Sequence, residues 1–273
     1  MIERSLSPLI AIVGPTAVGK SSLAVRLALR FGGEIVCADS RTQYRGMDIG
    51  TAKPSVEQRM TVPHHLLDLI APDETFTLAQ FQHLAYRTIA EINGRGHVPF
   101  LVGGSGLYVK AVIEGFCIPQ MQPDPALRQA LYEEVARLGP DHLYAELQRV
   151  DPVSARRIAP GNVRRVIRAL EVYRRLGRPI SEVQTKSPPP YRILVIGLTR
   201  SRRTLYRLIE QRIDAMFTGG LVDEVKGLVA HGYGYHLPAM SGIGYREVGM
   251  YLRGEIDLAT ARDLIIRKTR RFV

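Results

Sequence analysis

Five consecutive apolar residues, Leu9 to Val13, stand near the start of the chain, and Gly14-Pro15 break the run. A run this short with no polar alternation reads as a strand covered on both faces. After it, Ala24, Leu27, Ala28 and Phe31 fall at the i, i+3, i+4, i+7 spacing of a helix that begins near Ser21 and is closed by Gly32-Gly33. The pattern then repeats. Glu34 to Ala38 predicts a second buried strand with Asp39 at its carboxyl end, Val98 to Val102 a third before Gly103-Gly104, and Ile193 to Gly197 a fourth. Apolar strands joined by helical crossovers imply a parallel sheet with helices on both faces, an α/β fold of the P-loop NTPase type. In that arrangement Asp39 is expected to end a strand lying beside the strand that leads into the first glycine-rich turn.

Between the third and fourth strands the pattern changes. Residues 116–190 contain no strong strand signal; Asp124 to Leu138 and Val163 to Leu176 have helical periodicity, and Ser187-Pro188-Pro189-Pro190 closes the segment as a stiff linker. The organisation this predicts is a P-loop core of residues 1–115 and 191–273, interrupted by an all-helical insertion at 116–190. Further helices are expected over 202–231 and 257–270.

Composition adds bounds. The chain has 273 residues, is 45% hydrophobic and has no apolar run near the roughly 18 residues of a membrane span, so a soluble cytoplasmic protein, most simply a monomer, is expected. Cys37 and Cys117 form no disulfide framework or C-x-x-C metal motif and are expected to be buried thiols; the His64-His65 pair lacks a matching ligand set for zinc. The net charge is +11, and it is unevenly placed. Arg156, Arg157, Arg164, Arg165, Arg168, Arg174, Arg175 and Arg178 crowd one stretch of the insertion against a single acid, Glu171. Arg164, Arg168 and Arg175 share a helix face opposite Val163, Val166, Ile167 and Leu170. Such a stripe fits a polyanionic partner, although a solvated basic face has the same pattern.

The chemistry begins with Gly14-Pro15-Thr16-Ala17-Val18-Gly19-Lys20-Ser21, a G-x-x-x-x-G-K-S motif set between strand and helix. Its glycines let backbone N–H groups turn toward phosphate oxygens, the helix N-terminus adds positive potential, Lys20 adds a cation, and the Ser21 hydroxyl can ligate Mg²⁺. The loop does not say which phosphate compound it holds. Asp39 sits where ligands bind in open α/β sheets, and Val102-Gly103-Gly104-Ser105 is a second glycine turn at a strand end. Arg212 is the unexpected residue: in a helix whose Leu205, Leu208, Ile209, Ile213 and Met216 form an apolar stripe, it falls inside the stripe. A guanidinium there needs an anion, either a structural carboxylate or a bound phosphate. No separate strand ending in Asp offers a Walker B element. From the residues alone, a small-molecule P-loop kinase, a P-loop transferase acting on RNA, and a nucleotide-switched RNA-binding protein all remain open; the basic insertion favours the last two and Asp39 an enzyme.

Several blocks together resemble the tRNA dimethylallyltransferases, or tRNA isopentenyltransferases: the loop at 14–21, Ala-Asp-Ser at 38–40, Tyr-Arg-Gly-Met-Asp-Ile-Gly-Thr-Ala-Lys-Pro at 44–54, Pro-His-His-Leu-Leu-Asp at 63–68, Val-Gly-Gly-Ser-Gly-Leu-Tyr at 102–108, Asn162 with Arg164 to Glu171, Ile-Glu-Gln-Arg at 209–212 and Gly-Tyr-Arg-Glu at 244–247. The resemblance implies transfer of a dimethylallyl group from dimethylallyl diphosphate to N6 of the adenosine 3′ of the anticodon in tRNA. It implies Asp39, Thr16 and Arg212 as catalytic residues, Asp39 being the general base, and Gly14 to Ser21 as the diphosphate site, with Ser21 holding Mg²⁺. It also implies that Asp39, Ser40, Arg41, Thr42, Ser105, Arg128, Arg164, Arg165, Val166, Ile167 and Arg168 contact the tRNA anticodon stem-loop. An adenylate isopentenyltransferase acting on free nucleotides is the related alternative. Three departures stand out. Thr42 occupies a position that is usually Gln, with Gln43 following; Ser105 replaces a frequent Thr; and the chain ends at Arg271-Phe272-Val273, where relatives continue with Lys-Arg-Gln and further basic residues, a loss expected to weaken RNA binding.

Overall fold

A computed structural model describes residues 6–119 and 121–273. They divide into two compact units, Met1–Ile113 with Pro189–Val273, and Glu114–Pro188. In the first unit the order is β1 (Ser7–Val13), α1 (Lys20–Phe31), β2 (Gly33–Cys37), α2 (Val56–Thr61), β3 (His64–His65), α3 (Leu78–Gly94), β4 (Val98–Val102) and α4 (Gly106–Ile113). The second unit contributes α5 (Pro125–Leu138), α6 (Pro140–Val150), α7 (Pro152–Ala155), α8 (Val163–Leu176) and α9 (Ile180–Val183). The chain then completes the first unit with β5 (Tyr191–Gly197), α10 (Arg202–Thr218), α11 (Leu221–Ala230), α12 (Tyr245–Leu252) and α13 (Leu258–Phe272). No described helix is long and apolar enough to cross a membrane.

All strand pairs are parallel, in the order β3-β2-β4-β1-β5. This corrects the expected neighbour of β1. Ile12 pairs with Val102 of β4, while Val36 of β2 pairs with Leu101 on the other side of β4, so Asp39 ends a strand one removed from the phosphate-loop strand. Strand periodicity carries no information on neighbours, because every buried parallel strand here has the same apolar pattern. The two-residue β3, too short to produce a pattern, adds a fifth strand.

The pleat sends alternate residues to opposite faces. Leu9, Ala11, Val36 and Leu101 pack with Phe81, Ala85, Ile89 and Ile92 of α3 and with α4; Ile12, Ile35, Phe100 and Val102 pack with Ala24 and Ala28 of α1. A third cluster joins Leu205, Ile209 and Ile213 of α10 to Leu221, Val225, Tyr245, Val248 and Ile265. The helical stretch expected over 202–231 is divided in two, because Gly219-Gly220 ends α10 and Gly220 takes φ +96° before α11. Cys37 is buried, and burial pushes its thiol up to about 12; Cys117 is only half-buried.

The second unit has its own core of Leu131, Leu143, Leu147, Ala155, Val166, Ile167, Ala169 and Leu170. Buried Asp151 accepts from Ser154 N–H at the start of α7 and from the backbone and hydroxyl of Ser181, tying α9 to α7.

Candidate active site

The carboxyl ends of β1, β2, β4 and β5 carry the candidate site. Between β1 and α1 the chain turns through Gly14 at φ +144° and Ala17 at φ +62°, the latter a non-glycine held in a sparsely populated region. A Cβ at Gly14 would stand 2.6 Å from the Leu198 carbonyl oxygen, so only glycine lets the β1 and β5 ends approach this closely. Lys20 donates from Nζ to the Gly14 and Pro15 carbonyls at 2.9 and 2.8 Å, which lays its stem along the loop. Burial lowers the Lys20 ammonium from its ordinary range; Asp39 acts to raise it and Arg212 to lower it. Thr16 is half-buried in the loop, and Ser21 is exposed in the first turn of α1.

Opposite, the β2 and β4 ends are joined. Ser105 N–H donates to the Ala38 carbonyl, and Ser40 N–H donates to Ser105 Oγ at 2.9 Å. Gly103 is required here because a Cβ would collide with the Ala38 carbonyl. Asp39 accepts from the Arg41 N–H at 2.9 Å, a local turn that aims the carboxylate, with Gly104 leaving it uncovered. Arg41 turns its guanidinium to the Pro238 and Ala239 carbonyls and Ser241, so its side chain clips the turn before α12. Thr42 is buried and its hydroxyl donates to the Asp39 carbonyl. Gln43 is buried as well; its Oε1 receives Tyr108 OH at 3.4 Å, and its Nε2 has no partner. Burial, with Tyr44 and Asp39 adding, pushes the Tyr108 phenol up to about 12.

Arg212 completes the group from α10. It is half-buried, and desolvation lowers its guanidinium from its usual value while Asp39 opposes that shift. It pairs with no carboxylate among the described residues; its one hydrogen bond runs from Nη2 to the Thr51 carbonyl at 3.5 Å. Of the two anions the sequence left open for Arg212, the structural carboxylate is therefore absent. Asp39 and Arg212 both act on Lys20, and Asp39 acts on Arg212, so two cations and one acid lie within electrostatic reach of one another. Such a group can neutralise a diphosphate while accepting a proton nearby.

Sequence reasoning missed the device that holds Thr51. The N–H groups of Asp48, Ile49 and Gly50 converge on the Glu224 carboxylate of α11 at 2.8, 2.7 and 3.1 Å, and Tyr245 OH donates to the same carboxylate at 2.6 Å. Burial and then Glu224 push the Tyr245 phenol well above its usual range. Lys53 fixes the far end of the loop through the Tyr44 carbonyl, Asp48 and Asp68. The 44–54 block was visible as a motif, but no local pattern links it to Glu224.

In the second unit, Arg164 and Arg165 are exposed in the first turn of α8, whose N-cap Asn162 accepts from Arg165 N–H. The other expected nucleic-acid residues of the unit are placed differently. Val166 and Ile167 are 1% and 2% exposed, and their side chains pack in the core of the unit, which leaves only their backbone to meet a ligand. Arg128 forks onto the fully buried Glu171 at 2.9 and 2.8 Å, and Arg168 reaches the same carboxylate at 2.7 Å. Burial alone would raise Glu171, and hydrogen bonds from Arg128, Asp124 N–H and Arg168 more than reverse it, leaving the carboxyl below its usual range. The single acid of the basic stretch is thus shared by one arginine of that stretch, Arg168, and by Arg128 of α5. Arg175 donates to the Gln122 carbonyl.

A family model described as IPP transferase matches residues 42–273. A tRNA dimethylallyltransferase of Roseiflexus castenholzii is 54% identical over 93% of this chain and 83% of its own length, and one of Chloroflexus aggregans is 52% identical over 98% and 90%. Among solved structures, the full-length tRNA isopentenylpyrophosphate transferase of Bacillus halodurans aligns with a TM-score of 0.70 at 44% identity, covering 97% of this chain and 84% of that one. A eukaryotic dimethylallyltransferase acting on tRNA aligns at 0.80 with 25% identity, covering 97% and 68%. With most of its length matched at such identities, the chain belongs to the IPP transferase family.

Proposed function

We propose that this chain transfers a dimethylallyl group from dimethylallyl diphosphate to N6 of the adenosine just 3′ of the anticodon in tRNA. One observation carries the reading: Arg212, half-buried and without a carboxylate partner among the described residues, lies within electrostatic reach of Lys20 and Asp39, an arrangement suited to an anionic leaving group beside a general base. In the reaction a bond forms between N6 and the allylic carbon, the carbon–oxygen bond to the diphosphate breaks, and the N6 proton passes to the Asp39 carboxylate. An exocyclic adenine amine is a weak nucleophile because its lone pair is delocalised into the ring, and a base that accepts its proton restores reactivity. Thr16, Lys20 and Arg212, with the N–H groups of residues 14–21, hold the diphosphate as its charge grows.

Mg²⁺ fits this donor set. The exposed Ser21 hydroxyl is a hard oxygen at the loop's helix end, and Mg²⁺ favours one or two protein oxygens together with substrate phosphates and waters. When bound it would add positive charge at the diphosphate.

The adenosine must leave the anticodon-loop stack to reach Asp39. Arg164 and Arg165 suit the RNA backbone, being exposed and free of any carboxylate among the described residues. The test is incubation with Mg²⁺, dimethylallyl diphosphate and either tRNA or AMP, and separately with ATP and small alcohols, with products read by mass spectrometry. Prenylated adenosine in tRNA is expected. Product with AMP alone would move the reading to an adenylate isopentenyltransferase, and phosphorylated alcohol would make the chain a kinase.

A further inference from the structure

The phosphate loop has a companion that neither its motif nor the family blocks include. As β5 ends, the chain runs alongside the loop: Leu198 N–H donates to the Val13 carbonyl at 2.8 Å, and the Leu198 carbonyl lies against Gly14. Two residues on, Arg200 Nε donates to the Val18 carbonyl at 3.0 Å, and its Nη2 lies 3.8 Å from where a Gly19 Cβ would stand. Gly19, at φ +106°, caps α1 without a side chain, and Arg200 Nη2 is the one atom that a Cβ there would meet within 4 Å. Arg200 pairs with no carboxylate among the described residues, and Arg200 to Ile209 contains no acid to neutralise it.

We propose that Arg200 is a donor-binding residue: with Nε fixed to the Val18 carbonyl, its two remaining nitrogens contact the diphosphate from the outer edge of the loop, while Lys20 contacts it from within. The proposal rests on the diphosphate reading of the loop given above. The physical reason is geometric. A guanidinium is planar and presents its donors as a fork, so fixing one nitrogen on a carbonyl aims the other two. The rim position is exposed, which suits the terminal phosphate of a donor whose allylic end points into the site. A bland alternative has the same geometry: Arg200 could be a clip that only holds the β5–α10 turn against the loop.

Charge and hydrogen bonding separate the two. Arg200→Gln keeps an N–H donor for the Val18 carbonyl and loses the charge, Arg200→Lys keeps the charge, and Arg200→Ala keeps neither. Inorganic diphosphate with Mg²⁺ would be titrated calorimetrically into each protein, and steady-state prenylation of tRNA measured alongside. Without the charge-assisted hydrogen bonds at this exposed rim, Arg200→Gln and Arg200→Ala should bind diphosphate about tenfold more weakly and raise the KM for dimethylallyl diphosphate in parallel, with kcat nearly unchanged. Arg200→Lys should recover most of both, and melting temperatures should stay close to wild type. Wild-type diphosphate affinity in Arg200→Gln, with loss confined to Arg200→Ala, would make the residue a clip and overturn the proposal, whether or not tRNA is prenylated. Weakened diphosphate binding in Arg200→Gln by a protein that prenylates no tRNA would uphold Arg200 as an anion ligand while the functional reading fell. No diphosphate binding by the wild-type protein would overturn both.

Discussion

Asp39 acts electrostatically on Arg212, but the two are opposite in what their loss should do. Asp39→Asn keeps the shape and an oxygen for the Arg41 N–H, so the turn should survive while the base is lost. General-base catalysis contributes on the order of 10² to 10⁴ in rate, so single-turnover prenylation should fall by about that factor with tRNA and donor binding little changed. A rate within a few-fold of wild type would place the base elsewhere. Arg212 has no carboxylate to strand. Arg212→Ala should therefore change the unfolding free energy of the unliganded protein by no more than about 1 kcal/mol, because removing a desolvated charge offsets the poorer packing. Donor kcat/KM should collapse, and Arg212→Lys should restore it only in part, since an ammonium lacks the fork. A loss of about 3 to 5 kcal/mol in stability with normal donor kinetics would mark a buried ion pair instead.

The loop of residues 48–52 owes its shape to α11. Three N–H groups and one phenol on a single carboxylate form a charge-assisted cluster, and the loop it anchors presents the Thr51 carbonyl to Arg212. Glu224→Gln retains one acceptor oxygen but loses the charge. It should lower kcat/KM for the donor with a smaller loss of tRNA affinity, and crystallography or hydrogen exchange should show residues 48–52 loosened; unchanged exchange there would show that the cluster is not needed. The start of α8 sets a different test. Arg128 and Arg168 are engaged by Glu171, so of the arginines proposed to meet RNA in this unit only Arg164 and Arg165 have no carboxylate partner among the described residues. Replacing those two by Ala should reduce the slope of log K for tRNA against log salt by roughly 0.7 to 0.9 for each phosphate no longer neutralised, leaving donor affinity alone. The same slope in the double variant would make the turn a solvated face.

For the whole molecule, the end of the sheet away from the site carries a pH dependence. Glu34 on β2 is 4% exposed and is held by Arg95, His97 and His65. Burial would raise its carboxyl; hydrogen bonds from these three partners outweigh that and bring it down to about 2 from 4.5. A carboxyl with a lowered folded-state pKa stabilises the fold above its unfolded pKa and ceases to as pH falls through the folded value. Wild type should thus exceed Glu34→Gln in stability at neutral pH, and the gap should close between about pH 4.5 and about 2. Urea unfolding of both proteins across that window checks it; a gap independent of pH would mean that Glu34 acts by packing.

What the sequence determined by itself depends on neighbours along the chain. The phosphate loop was legible because Gly14, Gly19, Lys20 and Ser21 must stand at fixed spacing to turn backbone N–H groups inward, and α1, α5, α8 and α10 were legible because an apolar face repeats every 3.6 residues, while α3 and α6 were not singled out. The same periodicity exposed Arg212 as an exception within its stripe. The tertiary structure alone decided what depends on residues far apart. Buried parallel strands look alike, so only the assembled sheet put β4 between β1 and β2. Val166 and Ile167 belonged to a matching motif, and packing made them core. Gln43, beside Tyr108, is buried with an orphaned amide that no local pattern foretells. Glu224 reaches Asp48 across 176 positions, Arg200 reaches Val18 across 182, and Arg212 reaches Thr51 across 161. A hydrogen bond over such separations leaves no periodic trace, because each partner keeps a residue type common on any surface and only the folded chain brings the two within reach.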